Sequence, residues 1–159
     1  MNKRILVVVV ALCVLSAIFM PAQQPPPPPH KVFVAGTGNP DRLPDVLAGL
    51  SGCLADKGIT AKHLGPVPKT RGVALEEMKQ KGGSYLFFVS LDFTPRGNIP
   101  AHLTMESFNN TRKALWEESI DDSMVVTSQP GEIRKMVNDA CKKLETHVGG
   151  EGLPKDAHK

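Results

Sequence analysis

The sequence predicts an α+β fold, an α/β sandwich in which three helices cover one mixed sheet. Two observations predict it. From residue 31 to residue 93, short apolar runs alternate with apolar residues at helical spacing, which is the pattern of strands joined by helical crossovers. Two runs that alternate apolar and polar residues then flank a four-residue turn, and an amphipathic helix follows. The predicted order is therefore βαβαβββα, in a single domain over residues 31–149.

The first strand and the first helix are recognised by the residues that bound them. Lys31 to Gly36 is a short β-branched run, and Gly36-Thr37-Gly38 ends it. Asp41 is a favourable N-cap for a helix over 42–57, and Gly58 follows as a stop signal. The apolar stripe of this helix comprises Leu43, Val46, Leu47, Leu50, Cys53 and Leu54.

The middle of the chain repeats this alternation. A weaker strand over 59–64 is followed by a short helix that Thr70 can cap and Gly82-Gly83 ends. The run over 85–93 begins as continuously apolar and alternates from Ser90 onward. That pattern predicts a central strand whose end is half exposed. Because each helix crosses over between strands, we expect the first three strands to be parallel.

The last third of the domain predicts a hairpin and a helix. Residues 101–108 and 113–120 alternate apolar and polar side chains around a turn at 109–112, so the hairpin has one polar face. Apolar residues at helical spacing then predict a helix over 130–148. Residues 150–159 are rich in glycine and charge, and we expect a flexible tail there.

The amino terminus predicts export. Lys3 and Arg4 precede an uncharged, mainly apolar run at 5–20, and the layout of residues 1–22 is that of a secretory signal peptide. As a helix the run is about 24 Å long, short of the roughly 30 Å hydrocarbon core; an uncleaved inner-membrane anchor at 5–20 is the alternative. Residues 23–30 form a proline-rich spacer. We therefore expect a periplasmic or extracellular protein.

Charge excludes one large class of partner. The chain has 19 Lys+Arg and 16 Asp+Glu, a net charge of +3. Without residues 1–22, which hold two basic and no acidic residues, the balance is 17 against 16, or +1. A nearly neutral domain is not expected to bind nucleic acid. Contact with a membrane is expected only through an uncleaved signal.

The order of elements resembles a group of small bacterial envelope domains: the amino-terminal domain of TolB, CsgG, and the LpoB-type activators of penicillin-binding proteins. The matching segments are Val32-Phe33-Val34-Ala35, the strand Gly83 to Val89, and a hairpin whose second strand carries Leu115-Trp116. The resemblance spans about residues 31–148 and transfers no ligand residue. It implies a non-enzymatic accessory role in the envelope.

Two cysteines remain outside the predicted signal peptide. Cys53 and Cys141 lie on the apolar stripes of the first and last helices. If both helices cover the same face of the sheet, the two thiols can form a disulfide that closes an 89-residue loop. The alternative is a pair of buried free thiols that act as small hydrophobic groups.

No cofactor or metal site is predicted. Gly36-Thr37-Gly38 follows a strand, but Asp41 occupies the third glycine position of a dinucleotide fingerprint. Ser51 lies within a helix pattern rather than at a nucleophile elbow. None of the five histidines has a second histidine or a cysteine at metal-ligand spacing. The acidic pairs Glu117-Glu118 and Asp121-Asp122 are interpreted as a solvated edge and loop.

Two hairpin residues are candidate partner contacts. Trp116 is the only tryptophan; it packs in the core if it faces inward and can anchor a partner if it faces outward. His102 lies on the polar face, where a surface histidine is the simplest interpretation. Asn109-Asn110-Thr111 at the turn matches the N-glycosylation pattern, which applies only to a eukaryotic secretory route.

The functional expectation is a non-enzymatic exported binding or assembly protein of the bacterial envelope, whose partner is an unidentified envelope protein. Two alternatives stay open. One is a small exported hydrolase with a site assembled from Asp92, His102 and Glu106. The other is a carrier of an apolar ligand. The sequence leaves the oligomeric state undetermined.

Overall fold

The computed structural model describes residues 30–66, 68–92, 101–122, 130–149 and 152–155. The predicted signal peptide at 1–22, and the spacer at 23–30 apart from His30, lie outside the described residues. Within the described ranges, no helix is both long enough and apolar enough to cross a bilayer.

The described elements confirm the fold class and the order βαβαβββα. The strands are β1 (Val32–Gly38), β2 (Ala61–His63), β3 (Tyr85–Asp92), β4 (Ala101–Asn109) and β5 (Ala114–Asp122). The helices are α1 (Leu43–Asp56), α2 (Arg71–Gln80) and α3 (Pro130–Leu144).

The sheet is mixed, with the strand order β2-β1-β3-β4-β5. β1 is parallel to both β2 and β3, and β3, β4 and β5 are successively antiparallel. The predictions that the first three strands are parallel and that β3 is the central strand are both confirmed. β3 is buried through most of its length and becomes exposed at Asp92.

The two faces of the sheet have separate cores because side chains alternate along each strand. Val32 and Val34 of β1 point to the face covered by α1 and α3, whereas Phe33 and Ala35 point to the face covered by α2. The larger core contains fully buried residues from every layer on its side: Leu43, Leu47, Leu50, Leu54, Phe87, Val89, Leu103, Met105, Ala140 and Leu144.

Helix α2 is short and covers only half of its face. Its ten residues pack on β1 and β3, burying Ala74, Leu75 and Met78 against Phe33 and its neighbours. The α2 face of β4 is covered near Glu106 and Phe108, but among the described residues no helix lies over the rest of β4 or over β5 on this face. We call this part the uncovered half of the sheet.

Two local predictions differ from the structure at the start of the domain. Asp41 does not cap α1; the Asn39 Oδ1 atom accepts hydrogen bonds from the N–H groups of Asp41 (3.0 Å) and Arg42 (3.2 Å) instead. β1 does not end at Gly36 but continues to Gly38. A Cβ at Gly36 would lie 2.7 Å from the Val89 carbonyl oxygen, so glycine allows β1 to continue beside β3.

The folded body includes a residue of the segment for which a flexible tail is predicted. Leu153 is fully buried in the larger core. Its N–H group donates to the His147 carbonyl (3.0 Å), and its own carbonyl accepts from the N–H group of Gly149 (2.8 Å). These bonds return the chain onto the end of α3, an arrangement that a local composition rich in glycine does not reveal.

Two glycines of α1 provide a matched test of this packing. A Cβ at Gly49 would lie 2.7 Å from Val137 Cγ1 of α3, whereas a Cβ at Gly52 meets nothing within 4 Å. We expect Gly52→Ala to stabilise the domain by about 0.5–1 kcal/mol through helix propensity. Gly49→Ala should instead lower the free energy of unfolding, because overpacking a stiff β-branched side chain costs about 1–3 kcal/mol. Urea titrations of both variants measure this; equal effects would contradict the close α1–α3 contact.

Candidate functional site

The uncovered half of the sheet carries a cluster of polar side chains. We call it the open half-sheet and define it by Ser90, Asp92, His102, Thr104, Glu117 and Ser119. The register places these residues in adjacent positions: Asp92 opposite His102, and Ser90 opposite Thr104, which is itself opposite Ser119. They share the α2 face with Phe88, since residues two apart on a strand point the same way.

Hydroxyl groups and an imidazole are linked across this surface. The Thr104 Oγ1 atom lies 3.1 Å from His102 Nε2 and 3.4 Å from Ser119 Oγ. All three side chains are half-buried although no described helix covers them. Asp92 and Glu117 are exposed, and neither forms an ion pair within the described part of the chain. The surface can therefore accept hydrogen bonds and bind cationic groups.

Ion pairs fix the boundary between the open half-sheet and α2. Arg71, at the start of α2, pairs with the buried Glu106 of β4, and its guanidinium lies 5.7 Å from the centre of the Phe108 ring. Arg112, in the β4–β5 turn, pairs with Glu76 of α2. These contacts tie the hairpin to α2 from both directions.

The predicted hydrolase residues are brought together only in part. Asp92 and His102 are cross-strand neighbours, as a shared site requires. Glu106 is separated from His102 by Thr104 on the same face, and its carboxylate is paired with Arg71. The pairing with Arg71 therefore holds Glu106 away from the other two side chains, and the structure assigns the three no common substrate position.

Trp116 faces the other side of the hairpin, toward α3. Its indole stacks on the His147 ring, with ring centres 4.5 Å apart and planes 12° apart, and lies 6.0 Å from the Phe87 ring. The Trp116 Nε1 atom and the Ser107 Oγ atom, on cross-strand partners, are buried and have no hydrogen-bond partner among the described residues. The indole is half-buried packing at the edge of the larger core; a contact with a partner stays a prediction for Trp116 and for His102.

Four residues fasten the end of α3 to the edge strand β5; we call Trp116, Glu118, Lys143 and His147 the edge clasp. The Glu118 carboxylate accepts hydrogen bonds from His147 Nε2 (3.0 Å) and Lys143 Nζ (3.1 Å). Lys143 Nζ also donates to the Ser119 carbonyl oxygen (2.7 Å). The bonds from His147 and then from Lys143 hold the pKa of Glu118 below its usual value.

Cys53 and Cys141 lie on facing sides of α1 and α3, over the same face of the sheet. Their sulfurs are bonded, their Cα atoms are 5.8 Å apart, and they are separated by 88 positions in the sequence. Both half-buried side chains pack against the larger core. The arrangement matches the condition on which the sequence prediction depended, that both helices cover one face.

Two other features of the sequence have structural explanations. The Ser51 Oγ atom lies 3.1 Å from His63 Nε2, a pairing between α1 and β2 that the sequence did not predict. A hydrolytic dyad also needs a group that orients the imidazole, and within the described residues His63 has no second partner. Asn109 Oδ1 accepts bonds from Thr111 and from the Lys113 N–H group, so the glycosylation pattern also serves as the hairpin turn.

Two surface cavities lie outside the open half-sheet, and charged side chains contribute to the lining of both. One of about 650 Å³ lies between the ends of α1 and α3 and is lined by charged residues that include Asp56, Lys57, Glu145 and Lys155. A smaller groove of about 320 Å³ has Ile133 and Val137 at its base. In the described ranges, no three His, Cys, Asp or Glu side chains are arranged to hold a metal ion.

At the level of the fold, the domain is similar to solved structures at low identity. No protein-family model and no curated protein sequence matches the chain. The PelC dodecamer from Paraburkholderia phytofirmans is 14% identical, with a TM-score of 0.51 over 72% of this chain and 84% of PelC. A single-residue variant of that dodecamer is 11% identical, with a TM-score of 0.53 and the same coverage. TolB from Acinetobacter baumannii is 9% identical, with a TM-score of 0.46 over 78% of this chain and 29% of TolB.

The bond between Cys53 and Cys141 predicts a defined thiol count. The denatured, unreduced protein should react with two fewer maleimide equivalents than the reduced protein. The variant Cys53→Ala/Cys141→Ala should lose up to about 4–5 kcal/mol of unfolding free energy in the chain-entropy account, because its unfolded chain is no longer cross-linked. Equal thiol counts before and after reduction would show that the cysteines are free.

The edge clasp predicts a dependence of stability on pH. Because the pKa of Glu118 is lowered in the folded protein, its contribution is fully present above the unfolded value near 4.5 and is lost as the pH falls through the folded value. Glu118→Gln should therefore lower the free energy of unfolding at pH 7 by about 1 kcal/mol or less, and the difference from the unmodified protein should shrink below pH 4.5.

Thermal unfolding of both proteins, followed by Trp116 fluorescence, measures this difference. The control Glu145→Gln removes an exposed carboxylate on the same side of the domain. A difference between the unmodified protein and Glu118→Gln that does not change between pH 7 and pH 3 would contradict the clasp.

Proposed function

We propose that this chain is an exported, non-enzymatic assembly protein of the bacterial envelope that acts as a homo-oligomer. The observation that carries the proposal is the fold. The domain overlaps 84% of PelC at a TM-score above 0.5, and PelC is a dodecamer. The described sheet ends in two edge strands, β2 and β5, and no described helix covers half of one face. Both features provide surfaces for contact between copies.

One feature of the sequence and one feature of the structure support export. The amino terminus has the layout of a signal peptide followed by a proline-rich spacer. The paired Cys53 and Cys141 suit an oxidising compartment such as the periplasm, since such bonds are rare in the reducing cytosol. A periplasmic or extracellular location is the location we propose.

We propose a non-enzymatic role because three polar side chains that could take part in catalysis are bound to other residues of the fold. Glu106 is bound to Arg71, Glu118 to His147 and Lys143, and Ser51 to His63. Each of these interactions joins two elements of the fold. The adjacent Asp92 and His102 are the observation that favours the alternative hydrolase. A hydrolytic activity of the purified protein that is lost in His102→Ala and retained in Ser51→Ala would establish that alternative.

Cell fractionation and mass measurement test the proposal. The full chain, expressed in a bacterium with its own amino terminus, should appear in the periplasmic fraction with a mass reduced by the signal segment. Light scattering on the purified protein at micromolar concentration should give a multiple of the protomer mass. A cytosolic, unprocessed chain would contradict export, and a monomer at every concentration would contradict the homo-oligomer.

A further inference from the structure

We infer that copies of this chain assemble head to tail, with the open half-sheet of one copy receiving the lysine-bearing β2 edge of the next. The inference rests on the proposed homo-oligomer and names the two surfaces that form its interface. The first observation concerns charge on the α2 face. Among the described residues, the acidic side chains without an ion pair lie on β3 and β5, whereas the basic ones lie on β2, just before β1 and on α2.

The acidic surface is the open half-sheet. Asp92 and Glu117 are exposed and unpaired among the described residues, while Glu106 beneath them is neutralised by Arg71. β5 contributes Glu117 and Ser119 to this surface, in register with Glu106 and Thr104 of β4. The hydroxyl groups of Thr104 and Ser119 supply hydrogen-bonding positions between the carboxylates.

The basic surface is at the other end of the same face, and we call Lys31, Lys62 and Lys79 the lysine edge. Lys62 is the register partner of Phe33, whose ring faces α2, so Lys62 is on the α2 face. Lys31 precedes β1 by one position and its Nζ atom lies close to Gly82, just after α2. Lys79 is in the last turn of α2. All three are exposed, and none forms an ion pair within the described ranges.

The shapes of the two surfaces fit this arrangement. α2 rises from the sheet beside the open half-sheet, so the boundary is a step about one helix diameter, roughly 10 Å, high. The lysine edge is the outer margin of the other half of the same face. It can enter the step of a neighbouring copy without displacing any described element. Two different surfaces on one chain form a heterologous interface, and such interfaces close into rings when the rotation between copies permits.

Alternative contacts are less favourable. Copies joined through two open half-sheets would bring Asp92 and Glu117 of both chains together, and like charges across an interface oppose association. Copies joined through two lysine edges would have the same difficulty. Backbone pairing through the outer edge of β5 is hindered by Lys143, which already occupies the Ser119 carbonyl oxygen.

Charge reversal tests the pairing. Light scattering and native mass spectrometry on the full exported protein compare four proteins: unmodified, Glu117→Lys, Lys62→Glu, and both changes in one chain. Each single reversal should weaken assembly about tenfold or more, because it places like charges opposite each other. The double variant should reassemble, since both partners of the contact are reversed. An equimolar mixture of the single variants should also reassemble.

The controls separate this contact from general effects of charge. Lys142→Glu in α3 and Glu145→Lys just after it make the same changes on the opposite side of the sheet, and both should leave the assembly unchanged. Circular dichroism verifies that each variant folds; if Lys62→Glu does not, Lys31→Glu replaces it. Raising the salt concentration from 0.05 to 0.5 M should weaken the assembly of the unmodified protein, because added ions screen exposed charges within about 10 Å at 0.1 M.

The possible results show separately whether the proposed interface fails and whether the proposed homo-oligomer fails. If the unmodified protein assembles and the single reversals leave its mass unchanged, these surfaces are not the interface, although the oligomer stands. Reversals that disrupt assembly without rescue in the double variant or the mixture would show that the surfaces do not contact each other. A monomeric unmodified protein would overturn the homo-oligomer and the interface together.

Discussion

Strand β3 is apolar on both faces, and the rest of the domain is arranged to cover it. Leu86 and Phe88 point to one side of the sheet and Phe87, Val89 and Leu91 to the other, all of them buried. One face is covered by two helices, α1 and α3, which pack closely enough that Gly49 cannot carry a side chain without displacing Val137. The other face is covered by α2, which has only ten residues.

The open half-sheet exists because α2 is too short to cover the whole of its face. The hairpin β4–β5 extends the sheet beyond α2, so its α2 face must tolerate water, and the residues there are hydroxyl-bearing, acidic or imidazole side chains. The same hairpin has an apolar opposite face because α3 lies on it, and Trp116 marks the limit of that coverage. The polar surface between α2 and the edge strand β5 is thus a consequence of the length of α2.

Local patterns predicted the elements well and the contacts between them poorly. The leucine stripe of α1 and the apolar run of β3 are periodic signals that hold wherever the segment lies, and crossover and hairpin rules then gave the strand directions. Asn39 replaced Asp41 at the start of α1 because capping depends on where a side chain points, which composition does not determine. Leu153 folds back through two backbone bonds to the end of α3.

The polar pairs were the most difficult to predict. Ser51 with His63 and Glu118 with His147 join residues on different elements, and no spacing within one element encodes them. The positions of the unpaired charges on the α2 face were equally hidden, since net charge does not record where charged residues lie in the fold. The cysteines were accessible to prediction because both lie on stripes that must face the same core.

The bond between Cys53 and Cys141 has a consequence for the export that we propose. A chain that is exported amino terminus first brings Cys53 into the new compartment while 88 positions still separate it from its partner. The elements from β2 to β5 and most of α3 lie between the two cysteines. The disulfide therefore cannot form until residue 141 has entered the compartment. A chain arrested earlier keeps Cys53 as a free thiol, which thiol-exchanging proteins of an oxidising compartment can react with.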